Sequence, residues 1–158
     1  MTSRELPVRP STFAELEALI GQELGPTEWY DITQDRVDAF AEVTNDHQWI
    51  HVDPERAKSS PLGTTIAHGL FSLSLGPQFS YQLLAFDGFA HGLNYGYNKV
   101  RFPAPVPAGS RLRMRATVVA VEQLSGGIQL TMNQVVECEG SDKPVAVAES
   151  VARVVEKA

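Results

Sequence analysis

The spacing of apolar residues changes once along the chain, from helical recurrence in the first half to strict alternation in the second. Residues 12–23 place Phe13, Leu16, Leu19 and Ile20 on one face, and Thr12 and Glu15 have capping-box spacing. A short helix is predicted there, stopped by Gly25 and Pro26. A second amphipathic helix follows Thr33 as N-cap, with Val37, Phe40 and Ala41 inward and Asp35, Asp38 and Glu42 outward, and it ends near Thr44 and Asn45. Asp53-Pro54-Glu55 is a compact helix start, because Asp53 accepts orphan amides and Pro54 suits the first helical position. Residues 65–84 are apolar on most sides and predict a buried helix that Pro77 must kink or divide.

Beyond Gly88 the period becomes two. Residues 92–102, 110–124, 127–139 and 144–156 alternate and are rich in valine, with Gly126-Gly127 and Gly140-Ser141-Asp142 as hairpin signals. Helices first and strands afterwards predict an α+β fold: one buried helix against a mostly antiparallel sheet with its other face wet.

Composition narrows the classes of function. A chain of 158 residues with 43% hydrophobic and 20% charged residues suits one domain with a sizeable core. The net charge of −6 provides no basic field for nucleic acid or an anionic membrane, and no run approaches the ~20 apolar residues that cross a bilayer. The first residues lack a secretory apolar core. Cys138 is the lone cysteine, which excludes an intrachain disulfide and a cysteine-rich zinc site, so a buried structural thiol in a cytoplasmic protein is expected.

Titratable groups concentrate in Asn45-Asp46-His47-Gln48-Trp49-Ile50-His51. Asp46 and His51, five apart, face one pocket only if the backbone between them is irregular, and the flanking helix signals place them in a connecting segment. A carboxylate and an imidazole there can move a proton on and off water or a carbon acid. His47 and His51 are four apart, but H-Q-W-I-H lacks the glutamate base of the zinc-protease motif, so no metal is expected. In Ile66-Ala67-His68-Gly69-Leu70, first-turn amides without acceptors and a glycine without Cβ suit an oxyanion hole; close helix–sheet packing is the alternative. Arg111, Arg113 and Arg115 fall on one strand face, either a solvated sheet surface or, with Lys99 and Arg101, cations for ligand phosphates.

These motifs resemble a known family. T-N-D-H-Q-W-I-H-V-D, then G-T-T-I-A-H-G-L and N-K-V-R-F-P-A-P-V-P-A-G-S, is similar to the MaoC-like (R)-specific enoyl-CoA hydratases of the hot-dog fold. Their signature runs G-D-x-N-P-(I/L)-H-x-D, with H-G opening the central helix. The likeness extends from about Thr33 to the C-terminus; Gln48 and Trp49 replace Asn-Pro, and Pro77 lies near a position where some members carry a small polar residue that steadies the Asp.

The resemblance implies a single hot-dog domain over residues 1–158, with a long central helix wrapped by a mostly antiparallel β-sheet, a helical extension over about residues 1–30, and a homodimer formed through the sheets. It implies an enoyl-CoA hydratase, or 3-hydroxyacyl dehydratase, of fatty acid metabolism. Asp46 and His51 would be the catalytic pair and the Gly69 amide the oxyanion donor. His68, Asn94, Asn98, Lys99 and Arg101 would contact substrate, with His68, Asn94 or Asn98 replacing the group that steadies Asp46. The carrier would be acyl-CoA or acyl carrier protein, with no cofactor, because the thioester already polarises the alkene. The stretch Phe86–Tyr97 would line an acyl tunnel. The competing readings are a hot-dog acyl-CoA thioesterase, disfavoured because residues 65–84 hold no Asp or Glu, and a non-catalytic acyl-binding partner subunit, disfavoured because Asp46 and His51 are both present.

Overall fold

Three long alternating segments build the sheet onto which everything else packs. The computed structural model describes residues 5–158. In chain order the elements are α1 (Phe13–Glu17), β1 (Glu23–Leu24), β2 (Tyr30–Asp31), α2 (Gln34–Thr44), α3 (Trp49–Val52), α4 (Pro54–Lys58), β3 (Ile66–Ala67), α5 (Gly69–Ser74) and α6 (Gly76–Leu83), then β4 (His91–Arg101), β5 (Val106–Pro107), β6 (Arg111–Leu124), β7 (Gly127–Cys138) and β8 (Ala146–Val155). The main sheet runs β1-β6-β7-β8-β4, with β2 also on β6, and its strand pairs are antiparallel. A second, two-stranded sheet pairs β3 with β5. This is the α+β hot-dog arrangement.

Alternation buries Leu112, Met114, Ala116 and Val118 on β6 and Ile128, Leu130, Met132 and Val136 on the neighbouring β7. Phe71, Leu75, Phe79 and Leu83 of the helical segment complete that core, α5 packing on β8 and α6 on β6. Burial of each such side chain contributes about 1.5–3 kcal/mol. The β6–β7 turn needs both glycines. Gly126 holds φ +98, and a Cβ on Gly127 would come within 2.6 Å of the Val154 carbonyl oxygen.

Three sequence expectations shift in detail. Of residues 12–23 only Phe13–Glu17 are helical, because Gly21 (φ +80) turns the chain and Glu23–Leu24 join β6. Thr12 caps as expected, and the Glu15 carboxylate accepts chiefly from the amide and hydroxyl of Ser11, one residue before the cap. The buried helix starts at Gly69, not at 65, since Ile66 and Ala67 pair with β5, and Pro77 in the first turn of α6 divides it. Thr33 and Asp53 cap α2 and α4 as expected, and Cys138 is buried. No helix among the described residues is long and apolar enough to cross a membrane.

The arginines of β6 form the solvated face of the sheet. Arg111 pairs with Glu139 (2.5 Å), Arg113 with Glu137 (2.6 Å), and Arg115 with Glu137 (3.0 Å) and Glu23 (3.3 Å). Trp29 lies under the Arg113 guanidinium at 4.4 Å. Burial raises the Glu137 carboxyl, but hydrogen bonds and charge from Arg113 and Arg115 outweigh it and hold the group below its usual range. A depressed carboxylate stabilises the fold above its unfolded value and loses that contribution as pH falls through the folded one. We therefore expect Glu137→Gln to destabilise the protein at pH 7 by roughly 1 kcal/mol. In thermal melts across pH, the gap from the native protein should close in acid; a gap unchanged from pH 7 to pH 3 would contradict the ion-pair account.

Candidate active site

Asp46 sits where α2 is forced to stop. Asn45 adopts a left-handed conformation (φ 57), and the Asp46 amide bonds back to the Ala41 carbonyl at 3.1 Å. The segment that follows is not wholly irregular, because Trp49–Val52 form the single turn α3, which carries His51 inward. His51 is buried, and its Nδ1–H donates to the Ile66 carbonyl at 2.7 Å, which leaves the Nε2 lone pair free. Gln34 ties the segment to α2, donating to the His51 carbonyl (2.8 Å) and accepting from the Thr65 hydroxyl (2.5 Å).

His68, the N-cap residue of α5, stacks on His51 with ring centroids 3.7 Å apart and packs against Phe40 at 4.9 Å. It is 4% exposed; its Nε2–H donates to the Asp46 carbonyl (2.9 Å) and lies 3.9 Å from Asp46 Oδ2. Asp46, His51 and His68 thus bring one carboxylate oxygen and two ring nitrogens within 4.8 Å of one another. Asp46 and His51 do converge, with the carboxylate about half exposed (53%) beside two buried rings. His47 points elsewhere, to Glu42 at 3.1 Å.

Gly69 opens α5 without a side-chain cap, and among the described residues neither its amide nor that of Leu70 has an acceptor. Its Cβ position is occupied: a methyl there would lie 3.0 Å from the Phe102 ring. Glycine therefore serves the close packing of Phe102 while two helix-end amides stay unpaired.

The β4 residues spread apart. Asn94 lines a cavity with Phe86 and Tyr97, Asn98 donates to Glu149 at 2.7 Å, and Lys99 and Arg101 are exposed at the sheet edge. Among the described residues neither Asn94 nor Asn98 hydrogen-bonds to Asp46, whereas His68 does. Sequence reasoning missed Gln34, Phe40, Phe102 and the Ile66 carbonyl. Only the phenylalanines left a signal there, as apolar residues flanking the motifs.

One nitrogen of each imidazole donates to a carbonyl, His51 Nδ1 to Ile66 and His68 Nε2 to Asp46, and His68 Nδ1 is buried without a hydrogen-bond partner among the described residues.

Residues 15–139 match the family model for the MaoC like domain. The chain belongs to that family. A protein of Mycobacterium tuberculosis named 3-hydroxyacyl-thioester dehydratase Z is 52% identical over 143 residues, covering 90% of this chain and 95% of that protein. Nodulation protein N of Rhizobium leguminosarum bv. viciae is 41% identical over 145 residues, 87% of each chain. Among solved structures, the R-hydratase PhaJ1 of Pseudomonas aeruginosa superposes with a TM-score of 0.74 at 25% identity, covering 93% of this chain and 87% of that one. The MaoC-like match spans the Asp46–His51 segment, the Gly69 helix start and strands β6 and β7.

Proposed function

We propose that this MaoC-like protein is a hydratase/dehydratase of acyl thioesters, reversibly adding water to a trans-2-enoyl thioester to give the (R)-3-hydroxyacyl thioester. The observation that carries the reading is the convergence of Asp46 and His51 beside two unpaired helix-end amides. The relative named as a 3-hydroxyacyl-thioester dehydratase supports the same reaction. We read the whole chain as one catalytic domain in a reducing, cytoplasmic setting suited to its single buried thiol. Acyl-CoA is the expected carrier, with acyl carrier protein as the alternative.

In the hydration direction, water oxygen attacks C3 while Asp46 takes one of its protons. The C2=C3 pair moves to C2 and the thioester oxygen gains negative charge, which the Gly69 N–H stabilises. His51 Nε2, left as an acceptor by the Nδ1–H bond to Ile66, orients the water and then passes the proton taken by Asp46 on to C2, so that one water supplies both the 3-hydroxyl and the C2 hydrogen. His68 acts through Asp46, holding its carbonyl and lying beside its carboxylate. It takes the steadying place that Pro77, without a hydroxyl, cannot fill.

A homodimer is the expected assembly. Strand β4 is an edge of eleven residues, exposing Leu93 (57%) and Tyr95 (65%), and an unpaired edge of this length gains by pairing. Sedimentation at micromolar concentration should give twice the 17.3 kDa chain mass; a monomer would contradict the pairing.

Asp46→Asn and His51→Asn should each lower turnover of crotonyl-CoA by ~10²-fold or more with the fold intact. Product analysis in the same assay separates hydration from release of free CoA and from binding alone, and near-normal turnover in either variant removes that residue from the mechanism.

Gly69 needs a paired test, because a Cβ there strikes Phe102. Gly69→Ala in a Phe102→Ala background relieves the clash. If the amide is the oxyanion donor, Phe102→Ala alone retains turnover, and Gly69→Val, whose branched side chain crowds the carbonyl, loses ~10²-fold or more in that same background. Retained turnover and melting temperature in Gly69→Val/Phe102→Ala would dismiss the oxyanion role.

A further inference from the structure

The apolar row on β7 is broken once. Ile128, Leu130, Met132, Val136 and Cys138 are buried on one face, and Gln134 in the same row is 7% exposed. Its register neighbours are Ala116 and Ala148, which offer no side-chain partner. Nε2 bonds to the Ser80 hydroxyl at 3.2 Å, and the remaining donor and the acceptor of the amide have no partner among the described residues. These free atoms border the cavity rather than the sealed core, so a ligand that displaces solvent there must replace its hydrogen bonds.

Gln134 lines a cavity of about 140 Å³ between α6 and the sheet. The cavity is apolar along Leu84, Phe86 and Leu130 and polar where Gln134 meets Tyr97 of β4. A methyl built on Gly76 would lie 3.4 Å from Gln134 Oε1 and 3.7 Å from the Tyr97 hydroxyl, so glycine keeps open a space flanked by both groups. The Tyr97 hydroxyl has no hydrogen-bond partner among the described residues. The volume is close to that of cavities that hold benzene, about six heavy atoms.

Resting on the hydratase reading above, we propose that this cavity selects an acyl chain bearing a hydroxyl near its far end, held between Gln134 and Tyr97. A hydroxyl can donate to the amide oxygen and accept from the phenol at once, and turning the amide over only exchanges those roles, because Ser80 can donate or accept. The group cannot be the 3-hydroxyl formed in the reaction. Gly76 is seven residues beyond Gly69, roughly 10 Å along the helical segment at 1.5 Å per residue. A plain alkyl tail of the same length would bury Gln134 and Tyr97 unpaired, which is how a site built for a hydroxyl rejects the analogue without one.

The test compares trans-2-octenoyl-CoA with 8-hydroxy-trans-2-octenoyl-CoA in kcat/KM, and octanoyl-CoA with 8-hydroxyoctanoyl-CoA in Kd by calorimetry, with six- and ten-carbon pairs alongside. The native protein should favour the hydroxylated member by about tenfold or more in both measurements at one of these lengths. Gln134→Leu, close in volume, should reverse the preference, and Tyr97→Phe should reduce it; melting temperatures report whether each variant folds. Equal or tighter binding of the alkyl member at all three lengths overturns the proposal, as does a preference that survives Gln134→Leu. Hydration of crotonyl-CoA by the native protein judges the underlying reading separately. If that fails while the calorimetric preference holds, the chemistry is wrong and the tail site stands.

Discussion

The site depends on a reciprocal clamp between two histidines. His51 donates to the carbonyl of Ile66, two residues before His68, and His68 donates to the carbonyl of Asp46, five residues before His51. The rings lie face to face at 3.7 Å, so each segment holds the other's backbone as well as its side chain. Removing either imidazole leaves a carbonyl without its donor and opens a gap beside the remaining ring. The clamp joins the end of α2, the turn α3 and the start of α5, three elements with few other hydrogen bonds between them. The position of Asp46 relative to the Gly69 amide follows from it.

The sheet makes that clamp a fixed point. α5 and α6 bury Phe71, Leu75, Phe79 and Leu83 against β6, β7 and β8, so the first turn of α5 cannot move without disturbing the core. The other face of β6 is occupied by ion pairs among Arg111, Arg113, Arg115, Glu137 and Glu139. Those guanidinium groups are committed to carboxylates, which decides between the two readings of the arginine row in favour of a solvated face. On β4, Lys99 and Arg101 are exposed and make no ion pair among the described residues, Arg101 donating to the Val100 carbonyl.

Periodicity made the framework legible: the four strands, the caps at Thr33 and Asp53 and the division at Pro77 are local effects that spacing and residue type encode. Asp46 and His51 were legible as a motif, and the structure brings them together. The stacking of His68 was not, because it depends on two segments seventeen residues apart meeting across β3. Gly69 shows the same limit in another form. Its missing Cβ suggests room for a ligand, and the space it leaves is taken by Phe102, a residue whose approach no local pattern predicts. The first helix was overextended because Ile20 fits the helical face and also bridges to Val118, and the tertiary contact outcompetes the propensity.

One strand performs two tasks that constrain each other. β4 ends the sheet, with bulges at Asn94/Gly96 and Tyr97/Lys99, and the same stretch supplies Leu93, Asn94 and Tyr97 to the wall of the cavity. A bulge re-aims a side chain at the cost of regular pairing, so the register that turns Tyr97 toward α6 also sets which β4 groups remain for a neighbouring edge. Substitutions on β4 therefore act on assembly and on the cavity together. Gln134 lies on β7, with paired strands on both sides, and reaches the cavity without touching the edge. A change in acyl preference on altering Gln134 thus reports the cavity alone, whereas the same change from Tyr97 carries a contribution from the edge.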